Sequence, residues 1–76
     1  MVLSNVLSEF FMKNRILEFR KAKRLTQQQL AEICGLASYI VIQRYEKDLR
    51  TPPVDIAMRL ARALDTTVEE LFCLDD

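Results

Sequence analysis

Two short strings leave few folds open to this chain: Thr26-Gln27-Gln28-Gln29 and Thr67-Val68-Glu69-Glu70. Each sets a threonine hydroxyl three residues ahead of a Gln or Glu. This is the capping-box pattern. The hydroxyl accepts from the backbone N–H of the third helical residue, whose side chain reaches back to the cap. Ser38 is a third cap, without a returning acid. Thr51-Pro52-Pro53 starts a fourth helix, since proline is tolerated in the first turn and not later. Asp55 then lies where its charge suits the helix dipole. The stops are as legible. Gly35 follows Leu30-Ala31-Glu32-Ile33-Cys34 and can take the left-handed cap conformation. Asp48 can do so after Glu46-Lys47, because Asp visits that region more readily than most residues. Leu64-Asp65 closes the run Ile56, Leu60, Ala61, Leu64, which has the spacing of one helical face.

The predicted helices cover 14–23, 27–34, 38–47, 53–64 and 67–73, with connections of ordinary length for a small helical domain. A single Gly and two Pro in 76 residues leave little material for tight turns, so the predicted class is all-α. Half of the residues are apolar and the formal net charge is zero, a globular composition. Positions 13–74 are expected to form one domain, and 1–12 a separate apolar extension. In that extension Val2, Leu3, Val6, Leu7, Phe10 and Phe11 fall in pairs every four residues, one face of a helix. It can run on into Ile16 and Phe19 as a single long first helix. It can instead be an arm covering the domain or a second chain. Met12 is an alternative start.

Several functions are unexpected. There is no His for acid–base work, no Cys/His set with zinc spacing and no Gly-rich phosphate loop. Catalysis, a bound metal and a cofactor are therefore not expected. Cys34 and Cys73 read as reduced thiols of a cytoplasmic protein. No apolar run approaches the roughly 20 residues of a membrane helix, and no basic residue precedes Lys13 to make a secretory signal. Charge is uneven, however. Positions 13–24 carry six basic residues and one acid, and positions 65–76 carry five acids and no base. That asymmetry suits one face turned to a polyanion, and it suits ordinary solvated helix faces equally.

The order of parts then gains meaning. The strings NRILEFRKAKRLTQQQLAEICGL and IQRYEKDLRTPPVDIAMRLARALDTTVEELF hold Leu25-Thr26-Gln27, Leu30-Ala31-Glu32, Gly35, Ile42, Arg44, Glu46, Pro52, Leu60-Ala61, Ala63-Leu64 and Glu70-Leu71-Phe72. In that order and spacing, residues 14–72 resemble the phage repressor and Cro-like helix-turn-helix family, often called Xre-type. The resemblance implies a compact five-helix repressor-like domain. Helices 27–34 and 38–47 would form the helix-turn-helix, the second lying in the DNA major groove. The chain departs from the family in two ways. One more residue separates Gly35 from the Ser38 cap. Asp48 also stands where glycine is common, and Tyr39-Ile40-Val41 where polar residues are common.

With Ser38 as cap, Ile42 and Tyr45 point inward against Leu30, Cys34 and Leu60. The base-reading candidates are then Tyr39, Ile40, Gln43 and Arg44. Arg44 can take a guanine edge or a phosphate, and Gln43 an adenine. Ile40 has no hydrogen bond to offer and can meet a thymine methyl. Phosphate candidates are Gln27, which the resemblance places beside a phosphate, with Gln28, Lys23, Arg24, Lys47 and Arg50. The resemblance also implies a structural ion pair between Arg20 and Glu46.

The expected function is a sequence-specific regulator of transcription that binds double-stranded DNA as a homodimer on a near-palindrome. A chain of this length leaves no room for a sensor domain, so a stand-alone reader is expected. Dimer candidates are Leu71, Cys73 and Leu74 at one end and Phe10 and Phe11 at the other. The alternative is a protein-interaction module on the same fold, which the zero net charge and Tyr39-Ile40-Val41 favour.

Overall fold

A computed structural model describes residues 12–74. The chain runs as strand β1 (Met12–Asn14), helices α1 (Ile16–Ala22), α2 (Gln27–Ile33), α3 (Tyr39–Glu46), α4 (Val54–Ala63) and α5 (Val68–Leu71), then strand β2 (Phe72–Leu74). The fold is all-α in its body, with the five helices in the predicted order. The two short strands are additional. They pair antiparallel, Met12 with Leu74, Lys13 with Cys73 and Asn14 with Phe72, and so tie the two ends of the domain together. This changes both termini of the predicted layout. The last helix stops at Leu71 rather than running to 73. Met12–Asn14 are strand, so α1 does not run on upstream of Ile16 as one long helix. The apolar pairs themselves, Phe10 and Phe11 included, lie outside the described residues.

The helix starts follow the capping chemistry. Thr26 accepts from the Gln29 amide at 3.0 Å while the Gln29 side chain accepts from the Thr26 amide at 2.9 Å, a complete capping box on α2. Ser38 accepts from the Ile40 amide on α3, and Thr67 from the Glu70 amide on α5. Helix α1 is opened by Asn14, whose Oδ1 accepts from the Ile16 amide at 3.0 Å.

The helix ends share one device. After α1, α2, α3 and α4 the residues Arg24, Gly35, Asp48 and Asp65 take positive φ of 58°, 72°, 59° and 61°. In each case the next amide reaches back to a carbonyl five residues earlier: Leu25 to Arg20, Leu36 to Ala31, Leu49 to Arg44 and Thr66 to Ala61. These are Schellman motifs, which satisfy carbonyls that the helix end leaves orphaned. Leu25 and Leu36 then tuck against the core. Three of the four left-handed positions are held by residues with a Cβ, which such a conformation disfavours by about 1–2 kcal/mol.

The core gathers one face of every helix. Ile16, Leu30, Ile42, Leu60, Leu64 and Leu71 are fully enclosed, with Ala31, Cys34, Tyr45 and Ala61 around them. Leu71 is thus a centre of the monomer core. That removes it as a contact for a second chain, because its side chain has no surface to offer.

Two predictions follow from cap and core. Arg24→Gly relieves a left-handed Cβ at an exposed site, and part of that gain is offset by a freer unfolded chain. It should stabilise by about 0.5–1 kcal/mol and raise the melting temperature by a few degrees. An unchanged or lower melting temperature would show that the cap carries no strain. The second concerns alkaline pH. Burial pushes the Cys34 thiol up, with Arg59 opposing, and pushes the Tyr45 phenol up, with Arg50 opposing and Asp55 adding to the rise. Both groups are neutral when protonated, so the folded core keeps them neutral to higher pH than the unfolded chain does. Their contribution is complete below the ordinary thiol and phenol range, about 8.5–10, and is lost as pH rises through the higher folded values. The melting temperature should be flat from about pH 6 to 8 and fall above about pH 9. Tyr45→Phe should soften that fall.

Candidate nucleic-acid interface

Helices α2 and α3 meet at the turn 34–38. Their inner faces, Leu30 and Ala31 on α2 and Ile42 and Tyr45 on α3, are buried together. Arg59 of α4 closes the turn from below, its Nη1 donating to the Cys34 carbonyl at 3.2 Å. A cation at a helix C-terminus complements the exposed carbonyls there. The extra residue, Ala37, is absorbed before Ser38. The cap holds, α3 begins at Tyr39 and its inward stripe is Ile42 and Tyr45.

That register decides what α3 shows to solvent. Tyr39 is 44 % exposed and Ile40 41 %. Arg44 is exposed one turn beyond Ile40, Gln43 is half-buried, and Val41 packs partly on the core. Lys47 and Arg50 are exposed past the end of α3. The first turn of α3 is thus apolar, and its basic residues follow behind.

The orientation of α3 is fixed from two directions. Arg20 of α1 is the one buried charged residue among those described. Its Nε donates to Glu46 Oε2 at 2.6 Å and its Nη2 to Oε1 at 3.3 Å, while Nη1 donates to the Leu25 carbonyl at 2.8 Å. The two side chains keep only 11 % and 6 % exposure. Gln27 adds a further donor to Glu46 Oε1 at 2.9 Å. The second tie is Asn14. Its Nδ2 donates to the Tyr45 carbonyl at 2.6 Å and to Asp48 Oδ1 at 2.9 Å. One asparagine therefore starts α1 and holds the end of α3.

The phosphate candidates are scattered by this geometry. Gln27 turns its amide inward to Glu46. Gln28 donates along its own helix to Glu32 at 3.0 Å. Lys23 pairs with Asp65 at 3.1 Å, across to the end of α4. Arg24 is exposed on the left-handed cap of α1. Arg44 on α3, and Lys47 and Arg50 past its end, are exposed. Cys73 and Leu74 fall on β2. Sequence reasoning missed Asn14 because the first helix was begun at 14. Asn two residues ahead of Ile16 carried a usable signal, since Asn is among the preferred N-terminal capping residues. Nothing local pointed to Arg59. Among the described residues no group of three His, Cys, Asp or Glu is placed to hold a metal ion, and no helix is long and apolar enough to cross a membrane.

Two helices joined by a tight turn, the second braced from behind and exposed in front, define a helix-turn-helix protein. A helix-turn-helix family model matches residues 16–71, and the chain belongs to that family. It is 41 % identical over 64 residues to the uncharacterized HTH-type transcriptional regulator YobD of Bacillus subtilis, covering 82 % of this chain and 54 % of that protein. It thus spans about half the length of that relative. It is 36 % identical over 70 residues to Repressor protein C of Escherichia phage P2, covering 92 % and 65 % of the two chains. Among solved structures it resembles the restriction-modification controller protein C.AhdI from Aeromonas hydrophila, with a TM-score of 0.71, 34 % identity and coverage of 90 % and 98 %. It also resembles a chain of the SinR/SinI complex, with a TM-score of 0.69, 28 % identity and coverage of 75 % and 55 %.

The brace can be tested on its own. Glu46→Ala leaves the Arg20 guanidinium buried without its carboxylate, which should cost about 3–5 kcal/mol and lower the melting temperature by roughly 12 °C or more. The double variant Arg20→Met, Glu46→Leu should recover much of that loss, since no charge is then stranded. A double variant no more stable than Glu46→Ala would mean that the pair itself stabilises the fold.

Proposed function

We propose that this chain regulates transcription by binding double-stranded DNA as a homodimer on a near-palindromic site. The observation that carries the reading is the front of α3. An exposed helix edge, Tyr39, Ile40 and Arg44 with half-buried Gln43, is flanked by Lys47 and Arg50 and braced by Arg20–Glu46. A helix about 10–12 Å across fits the major groove, and cations beside it can meet phosphates on its rim. Arg44, Gln43, Ile40 and Tyr39 are the base-reading set. Lys47, Arg50, Arg24 and Gln28 are the phosphate set, and Lys23 and Gln27 join it by exchanging their present partners. The names of the relatives, transcriptional regulators, a repressor and a restriction-modification controller, support the same reading. No catalytic role, metal or cofactor is assigned, and the chain is expected to act in the cytoplasm.

The homodimer would set two copies of α3 about 34 Å apart on successive major grooves. Its surface is proposed beside β2, where an apolar recess of about 250 Å³ is lined by Thr51, Pro52, Val54, Ala57, Val68 and Phe72. Val54 at its rim is 76 % exposed. Leu74 and Cys73 on β2 are further candidates, and Phe10 and Phe11, outside the described residues, are candidates from the sequence alone. A second reading, a module that docks another protein through Tyr39 and Ile40, draws on the apolar first turn of α3. The SinR/SinI complex is a neighbour of this fold that holds a protein partner.

Binding to duplex DNA should fall steeply between low and moderate salt, as release of condensed counterions requires. Arg44→Ala should cost about 1–3 kcal/mol and relax preference at one base pair. An intact protein with no salt-dependent DNA binding would favour the protein-docking reading. In sedimentation, Val54→Glu should shift the dimer to monomer. A dimer indifferent to that charge would place the interface elsewhere.

A further inference from the structure

The apolar first turn of α3 is the feature that the DNA-binding reading leaves unexplained. Residues entering a groove ordinarily offer hydrogen bonds, yet Tyr39, Ile40, Val41 and Ile42 follow the cap in sequence. Ile42 is consumed by the core and Val41 partly so. Tyr39 and Ile40 remain 44 % and 41 % exposed. The Ser38 hydroxyl in front of them accepts from the Ile40 amide at 3.1 Å, and the polar atom of the exposed pair is the Tyr39 phenol oxygen. The Ile40 side chain has no polar atom and can offer a groove nothing but apolar contact.

The major groove holds one apolar feature on its base edges, the methyl group at C5 of thymine. The same position on cytosine bears a methyl group when that base is 5-methylated. The N-terminal turn of a recognition helix is the part that meets base edges. Exposed cations, Arg44, Lys47 and Arg50, lie along and behind this turn. That charge complements a phosphate-lined groove, and it selects nucleic acid as the occupant of the patch. We infer that Ile40 recognises the C5-methyl group of a pyrimidine, so that the protein binds thymine and 5-methylcytosine at one position in preference to uracil and unmodified cytosine. The inference rests on the DNA-binding reading and deepens it. Arg44 lies four residues on, on the same face, an advance of about 6 Å. A guanine taken by Arg44 then lies within about two base pairs of the methylated pyrimidine, given about 3.4 Å per step. Binding by this chain becomes sensitive to cytosine methylation wherever its site carries cytosine at that position.

The test uses the full chain and a duplex selected by it from random DNA. Thymines of the selected site are replaced one at a time by deoxyuridine, which removes the methyl group and keeps the base pair. One position in each half-site should lose about fourfold in affinity per methyl group, the value of one buried methyl. At that same position a 5-methylcytosine·guanine pair should bind about fourfold more tightly than cytosine·guanine. Ile40→Ala, on an exposed position outside the core, should bring both ratios to one. DNA binding with no dependence on any C5 methyl would overturn the inference and leave the DNA-binding reading intact. Ratios that survive Ile40→Ala would overturn the assignment to Ile40. Failure to bind or select any duplex at low salt would overturn both, and would point to a protein as the partner of this patch.

Discussion

Helix α3 has its orientation because a carboxylate near its C-terminal end is pinned to a buried guanidinium. Arg20 and Glu46 are 26 positions apart, and their contact joins α1 to α3 across the domain. The guanidinium also holds the Leu25 carbonyl in the loop that leads to α2, and Gln27 at the start of α2 donates to the same carboxylate. One charge pair therefore fixes three helices relative to one another. The geometry is unforgiving. Removing a buried charge from water is costly unless each donor and acceptor is used, and here the carboxylate accepts from two side chains while the guanidinium has three acceptor atoms. No buried side-chain polar atom among the described residues is left without a partner.

Asn14 extends this frame to the chain ends. It sits at the last position of β1, opposite Phe72 of β2, starts α1 and holds the Tyr45 carbonyl and Asp48. The strand pair and the end of α3 are thereby linked through one side chain. Changes at the proposed dimer surface near β2 have a short physical path to α3.

Local signals were legible because helix ends are local problems. Thr26, Ser38 and Thr67 act within three residues of themselves, so their patterns show in any reading of the chain. Asp48 was readable as a left-handed cap because Asp tolerates that backbone. Arg24 was not, because nothing in an arginine announces a left-handed site; the reach of Leu25 back to Arg20 imposes it. The strand pair was invisible for a related reason. Segments of three residues carry no alternation to read, and their partners lie at opposite ends of the sequence. Lys23 looked like a loose cation beside the motif until folding brought Asp65 to it.

By itself the sequence determined five helices, the caps at Thr26, Ser38 and Thr67, the order of the helices and the inward stripe of Ile42 and Tyr45, because hydrogen bonding within a turn and apolar periodicity are written at short range. The resemblance added the pairing of Arg20 with Glu46. Only the tertiary structure decided which polar groups are spent inside the protein and which remain for a partner. It turned Gln27 inward, engaged Lys23, buried Leu71 and left Tyr39, Ile40 and Arg44 outward. Those outcomes depend on which surfaces face each other once the helices are packed, and no single stretch of the chain contains that information.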